Sequence, residues 1–139
     1  MNLEKPVIAV VDDDAAVLKA LSRLLRSAGW EVLTFHSGQE LLELLPGIHF
    51  QYLIMDVQMP EMGGFELKNR LRQLGCETPV LFITAHDSPQ TRASAAQGGS
   101  LGLLTKPFSA NSLLTALSLR SLNLPAGPPE VGGQNPCPA

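Results

Sequence analysis

Two hydrophobic patterns alternate along this chain. Short unbroken apolar runs, "VIAVV" (7–11), "WEVLTF" (30–35), "YLIMD" (52–56), "VLFIT" (80–84) and "LGLLT" (101–105), alternate with segments of helical period. After the first run, Val17, Leu21, Leu24, Leu25 and Ala28 share one helical face, and Gly29 can stop the helix. Ser37 and Glu40 form a capping box at the start of a second helix, which Pro46-Gly47 ends. Leu67, Leu71 and Leu74 line a third helix, with Glu66 and Arg70 four apart on its solvent side. Ser88 and Pro89 open a weaker helix over about 89–97, and a last one starts near Ser109 and carries Leu113, Leu114, Leu117 and Leu122.

This is strand–helix five times over. Apolar runs without alternation suit parallel strands covered on both faces. The expected fold is α/β: a five-stranded parallel sheet, doubly wound as a (βα)5 flavodoxin-like three-layer sandwich. Working sites in such folds lie beyond the carboxyl ends of the strands. From about Asn123 the pattern stops. Five Pro and three Gly among the seventeen residues 123–139 predict a flexible tail or linker after a domain spanning 1–122.

Composition narrows the function. The 139 residues suffice for one domain with a real core, and a net charge of −3 argues against direct binding of DNA or an anionic membrane. The start lacks a signal peptide, and no apolar stretch is long enough to span a bilayer, so a cytoplasmic protein without membrane contact is expected. Cys76 and Cys137 lack metal or redox spacing and read as free thiols in a reducing compartment. His36 and His49 show no metal spacing. Met55, Met59 and Met62 read as core and loop packing rather than a soft-metal site.

Chemistry gathers at the strand ends. Asp12, Asp13 and Asp14 follow the first run, and Asp56 ends the third. Taken alone, three acids after a strand read as a capped, solvated loop, and Asp14 suits the cap of the first helix. Asp12, Asp13 and Asp56 should converge, however. Two like charges about 4 Å apart repel by roughly 4 kcal/mol at an effective dielectric near 20. Such a pocket needs a proton or a hard cation, and all-oxygen ligands favour Mg²⁺ or Mn²⁺. Thr84 and Lys106, each at the end of its own strand, add a hydroxyl and an ammonium suited to a phosphoryl group.

These residues carry a resemblance. "VVDDD", "DVQMPEMGGFEL", "FITAH" and "LLTKPF" together resemble the receiver domains of two-component response regulators, over about residues 6–121. The "TAH" detail is most similar to receivers of nitrogen-fixation and nitrate-regulator transcriptional regulators. The resemblance implies that Asp56 accepts a phosphoryl group from the phosphohistidine of a sensor histidine kinase. Asp13, Asp56 and the Gln58 backbone carbonyl would hold Mg²⁺ directly, and Asp12 through water. Thr84 would close on the phosphoryl oxygen, Lys106 would pair with it, and the bond before Pro107 would be cis. The domain would be no enzyme, but a phosphoacceptor assisting its own phosphorylation and dephosphorylation. It would switch a surface of the fourth helix, fifth strand and fifth helix, through which a homodimer can form. DNA would be met only through an output domain that these residues do not include.

Two departures stand out. Leu103 occupies the strand position where the family usually has a switching aromatic. The fourth helix, "SPQTRASAAQGGS", has few large apolar residues and is expected to be thinly anchored. Gln58 and His86 are candidates to flank the phosphoryl group and set its hydrolysis rate. Leu119 and Leu122 hint at a partner on the last helix. The alternatives are a degenerate receiver acting by phosphate-independent protein binding, and a haloacid-dehalogenase-like phosphatase. "DDDAA" lacks the threonine of the latter's nucleophile motif, and no cap domain is evident.

Overall fold

The computed structural model describes residues 6–97 and 100–122, with side chains as far as Leu117. Five parallel strands form one sheet in the order β2-β1-β3-β4-β5. They are β1 (Val7–Val11), β2 (Glu31–Phe35), β3 (Tyr52–Asp56), β4 (Val80–Thr84) and β5 (Gly102–Thr105). The helices are α1 (Ala15–Ser27), α2 (Gly38–Leu44), α3 (Gly64–Gln73), α4 (Pro89–Ala96) and α5 (Ala110–Leu122). This is the flavodoxin-like α/β architecture that the alternation predicts.

Two apolar cores sandwich the sheet. On one face, Leu18, Leu21 and Leu25 of α1 and Leu113 and Leu117 of α5 pack on Ile8, Val10, Ile54, Leu81 and Ile83. On the other, Leu41, Leu67, Leu71 and Ala95 pack on Ala9, Val11, Leu53, Met55 and Phe82. The central strands β3 and β4 are buried along their full length, which explains why their sequences do not alternate. Met55 and Met62 are core residues and Met59 packs beside them. Trp30 meets Tyr52 edge-on, ring centroids 5.3 Å apart.

Local signals act where expected. Asp14 caps α1 by accepting from Ala16 N–H, and Gly29 takes φ 101° just past the helix end. Ser37 accepts from Glu40 N–H, while the Glu40 carboxylate reaches back to His36 N–H at 2.8 Å. Arg70 pairs with Glu66 at 3.2 Å. Ser88 caps α4 by accepting from Thr91 N–H. The Lys106–Pro107 bond is cis.

Several expectations are corrected. Leu18, not Ala28, completes the buried stripe of α1, because Ala28 is the C-cap, one residue past the last helical residue Ser27, and stands exposed. Leu74 is the C-cap of α3, one residue past its last helical residue Gln73, and is 52% exposed. Cys76 is disulfide-bonded and not a free thiol. Spacing cannot signal such a bond, because pairing depends on approach in space. Cys137 and the rest of 123–139, and the side chains of Leu119 and Leu122, lie outside the described residues. Among the described residues no helix is long and apolar enough to cross a membrane.

Candidate functional site

Strand register assembles the site. Val11 pairs with Met55, so the next residues, Asp12 and Asp56, emerge side by side where β1 parts from β3. Thr84 pairs with Thr105, so Lys106 projects one residue beyond β5, just past the level where β4 ends. The backbone fixes these exits: Asp12 N–H donates to Phe35 O, Val57 N–H to Ile83 O, and Lys106 N–H to Thr84 O at 2.7 Å.

Asp12, Asp13 and Asp56 each offer a carboxylate oxygen within 4.8 Å of the others. Asp12 and Asp56 are buried, and Asp13 is exposed at the rim. Asp12 Oδ1 accepts from Asp14 N–H at 2.9 Å. Lys106 Nζ lies 2.9 Å from Asp12 Oδ2 and 3.5 Å from Asp56 Oδ2. No well-directed hydrogen bond reaches Asp12 Oδ2 despite that close ammonium, so a buried lone pair still faces the pocket. One ammonium cannot neutralise three carboxylates. These hard oxygen donors, more negative than one ammonium can offset, fit a divalent ion of the Mg²⁺ class.

The electrostatics follow. Burial raises the Asp56 carboxyl from 3.8 to about 6; Asp12 adds to the rise and Lys106 opposes it. Burial pulls the Lys106 ammonium down, but Asp12 and then Asp56 outweigh it and hold Lys106 above the usual lysine value. Near neutral pH Asp56 is therefore mostly ionised yet costly to keep so.

Thr84 is fully buried, and its Oγ1 donates to Gln58 Oε1 at 2.9 Å, with His86 O a second acceptor at 3.2 Å. His86 N–H donates back to Thr84 Oγ1 at 3.0 Å. The Gln58 side chain thus meets Thr84 directly, whereas His86 meets Thr84 through its backbone. Two glycines, with no reactive group of their own, shape the loop. A Cβ on Gly64 would lie 2.5 Å from Asp56 O, and one on Gly63 would lie 2.8 Å from Val57 O. The paired glycine in "MGG" is the signal: only a bare backbone can pass so close to the acid's own carbonyl.

Residues 8–118 match the response regulator receiver domain family. The chain belongs to that family. It is 40% identical over 117 residues to the response regulator protein TmoT of Ectopseudomonas mendocina, covering 84% of this chain and 53% of TmoT. Over 110 residues it is 38% identical to the response regulator MprA of Mycobacterium ulcerans, covering 79% of this chain and 47% of MprA. The chain therefore spans about half the length of the curated relatives it matches. Among solved structures, the Francisella response regulator 1452 receiver domain matches with TM-score 0.76 and 28% identity, covering 86% of this chain and 99% of that one. Vibrio cholerae chemotaxis protein CheY4 matches with TM-score 0.72 and 32% identity, covering 84% and 98%. As a receiver domain, this chain is a signalling module of two-component systems.

Proposed function

We propose that Asp56 is the phosphoacceptor of this receiver and takes its phosphoryl group from a histidine-kinase phosphohistidine. An Asp56 carboxylate oxygen attacks phosphorus in line. The P–N bond breaks, its electron pair stays on the imidazole, and a P–O bond forms to Asp56. A pKa of about 6 leaves this carboxylate ionised near pH 7 and still energetically crowded. Lys106, already 3.5 Å from Asp56, neutralises the incoming phosphoryl oxygens. Thr84 exchanges its acceptor on Gln58 for a phosphoryl oxygen. Asp13, Asp56 and the Gln58 carbonyl are the proposed direct Mg²⁺ holders, with Asp12 acting through water. Bound Mg²⁺ would supply charge neutralisation for the acids and the transferring group.

The single supporting observation is the convergence of Asp12, Asp13 and Asp56 around one partly satisfied pocket beside Lys106. A cytoplasmic receiver spanning 1–122 and a linker over 123–139 complete the proposal. The switched face is α4–β5–α5, which also suits a homodimer, and contact with DNA would come only through an output domain. With Cys76 disulfide-bonded, the cytoplasmic assignment rests on family membership rather than on thiols. The test is incubation with Mg²⁺ and a small phosphodonor, read by intact mass. One added phosphoryl group on the wild type and none on Asp56→Asn is expected. Equal labelling of both excludes Asp56, and no labelling of either favours a receiver working through phosphate-independent protein binding.

A further inference from the structure

A second site lies on the far side of α1 from α5. Ala15, Leu18, Lys19, Ser22, Arg23 and Arg26 form one continuous helical stripe facing Thr34 and His36 of the β2 edge, around a groove of about 440 Å³. Its floor is apolar at Leu18 and its walls carry three permanent cations, an imidazole and two hydroxyls. Three of the chain's 10 Lys and Arg thus gather in one groove of a protein with net charge −3.

The charge there is not spent internally. Among the described residues Lys19 and Arg23 make no ion pair, and Arg26 has only a long hydrogen bond from Nη2 to Val32 O, 3.5 Å. Two carboxylates lie near the groove: Glu40, 3.8 Å from His36 Nδ1, whose Oε1 already accepts from His36 N–H, and Asp14, which precedes Ala15 and already accepts from Ala16 N–H at 2.9 Å. Glu31 shares the opposite face of β2 with Leu33 and Phe35, because successive strand residues alternate.

We propose that the α1–β2 groove binds a compact polyanion of the diphosphate class. The three cations at 19, 23 and 26 span about 10 Å of helix. That suits a short, dense anion better than an extended acidic peptide. Arginine forks match phosphoryl oxygens two at a time, and Ser22 and Thr34 can add neutral donors. The volume falls within the range of small-molecule sites. None of the groove's lining residues belongs to the Asp12, Asp13, Asp56 and Lys106 set, so binding and phosphoacceptance can be read separately.

The test is titration of the full isotope-labelled chain, without divalent ions, by inorganic pyrophosphate, ADP and a hexaglutamate peptide in turn, followed by amide spectra. Saturable shifts along α1 and β2 with pyrophosphate are expected, weakening with added salt. Lys19→Gln with Arg23→Gln should bind about tenfold more weakly or worse while still accepting a phosphoryl group at Asp56. ADP equal to pyrophosphate assigns the free diphosphate, and tighter ADP assigns a nucleotide. Absence of saturation, an unchanged response in the double variant, or shifts from the peptide alone would overturn the proposal.

Discussion

Thr84 Oγ1 donates a 2.9 Å hydrogen bond to the side chain of Gln58, so the buried hydroxyl is already committed before any phosphoryl group arrives. A hydroxyl carries one proton, so if Asp56 is phosphorylated as proposed, Gln58 competes with the incoming oxygen for it. Gln58→Leu should remove the competitor and favour the phosphorylated packing by about 1 kcal/mol, roughly fivefold in equilibrium. His86→Ala should change little here, since its backbone makes the contact. Acyl-phosphate lifetime and half-saturating phosphodonor concentration, measured for both variants, check the difference. Equal behaviour of the two would remove Gln58 from the switch.

Asp56 makes stability depend on pH. Its folded pKa of about 6 lies above the ordinary 3.8, so between those values the folded state binds more protons than the unfolded one. Stability from this group is full below about 3.8 and is lost as pH rises through about 6. The loss is on the order of 2–3 kcal/mol. Urea unfolding in chelator at several pH values should show this slope in the wild type. Asp56→Asn should lack it and be the more stable protein at pH 7–8. Parallel curves for the two proteins would contradict the assignment.

Lys106 is the cation that makes the buried Asp12 tolerable. Lys106→Met should leave Asp12 and Asp56 facing each other unpaired, at a cost on the order of 3 kcal/mol without divalent ions. Added Mg²⁺ should restore part of that loss, and more in the variant than in the wild type. Melting curves with and without the ion provide the measurement. A variant as stable as its parent in chelator would mean the pair is already neutralised by a proton.

Gly64→Ala tests the loop. Its Cβ would sit 2.5 Å from the carbonyl oxygen of Asp56, so the acid's own backbone must move. Destabilisation by about 1–3 kcal/mol and slowed phosphorylation at Asp56 are expected together. Normal phosphorylation kinetics in a folded G64A protein would show that the close approach has no role in placing the acid.

Much of this architecture was legible because buried parallel strands leave an unmistakable trace. "YLIMD" and "VLFIT" are apolar without alternation since both faces are covered, and each begins and ends where the runs do. Caps at Asp14, Ser37 and Ser88 act through neighbours within three residues, so they too can be read locally. Convergence of Asp12 with Asp56 follows from strand order once the fold class is chosen. What could not be read depends on distances between remote atoms. The Gln58–Thr84 bond joins positions 26 apart. The clash that excludes a side chain at Gly64 and the bonding of Cys76 are likewise matters of approach in space. The ends of α1 and α3 misled because a periodic stripe says nothing about where the helix itself stops: Ala28 and Leu74 are both C-caps.

α4 is held lightly, as its composition suggests: Ala95 is its one buried residue, and the Arg92 guanidinium grips Asp87 at the surface. Its neighbour β5 is the outermost strand on that side, and none of its four residues is fully covered. Lys106 hangs from the end of this half-wetted ribbon. A tug on that ammonium thus pulls against the softest margin of the molecule, where solvent can fill whatever space opens. The strands bearing the acids, β1 and β3, are buried almost throughout, so whatever give the sheet has lies outward, at this wetted edge.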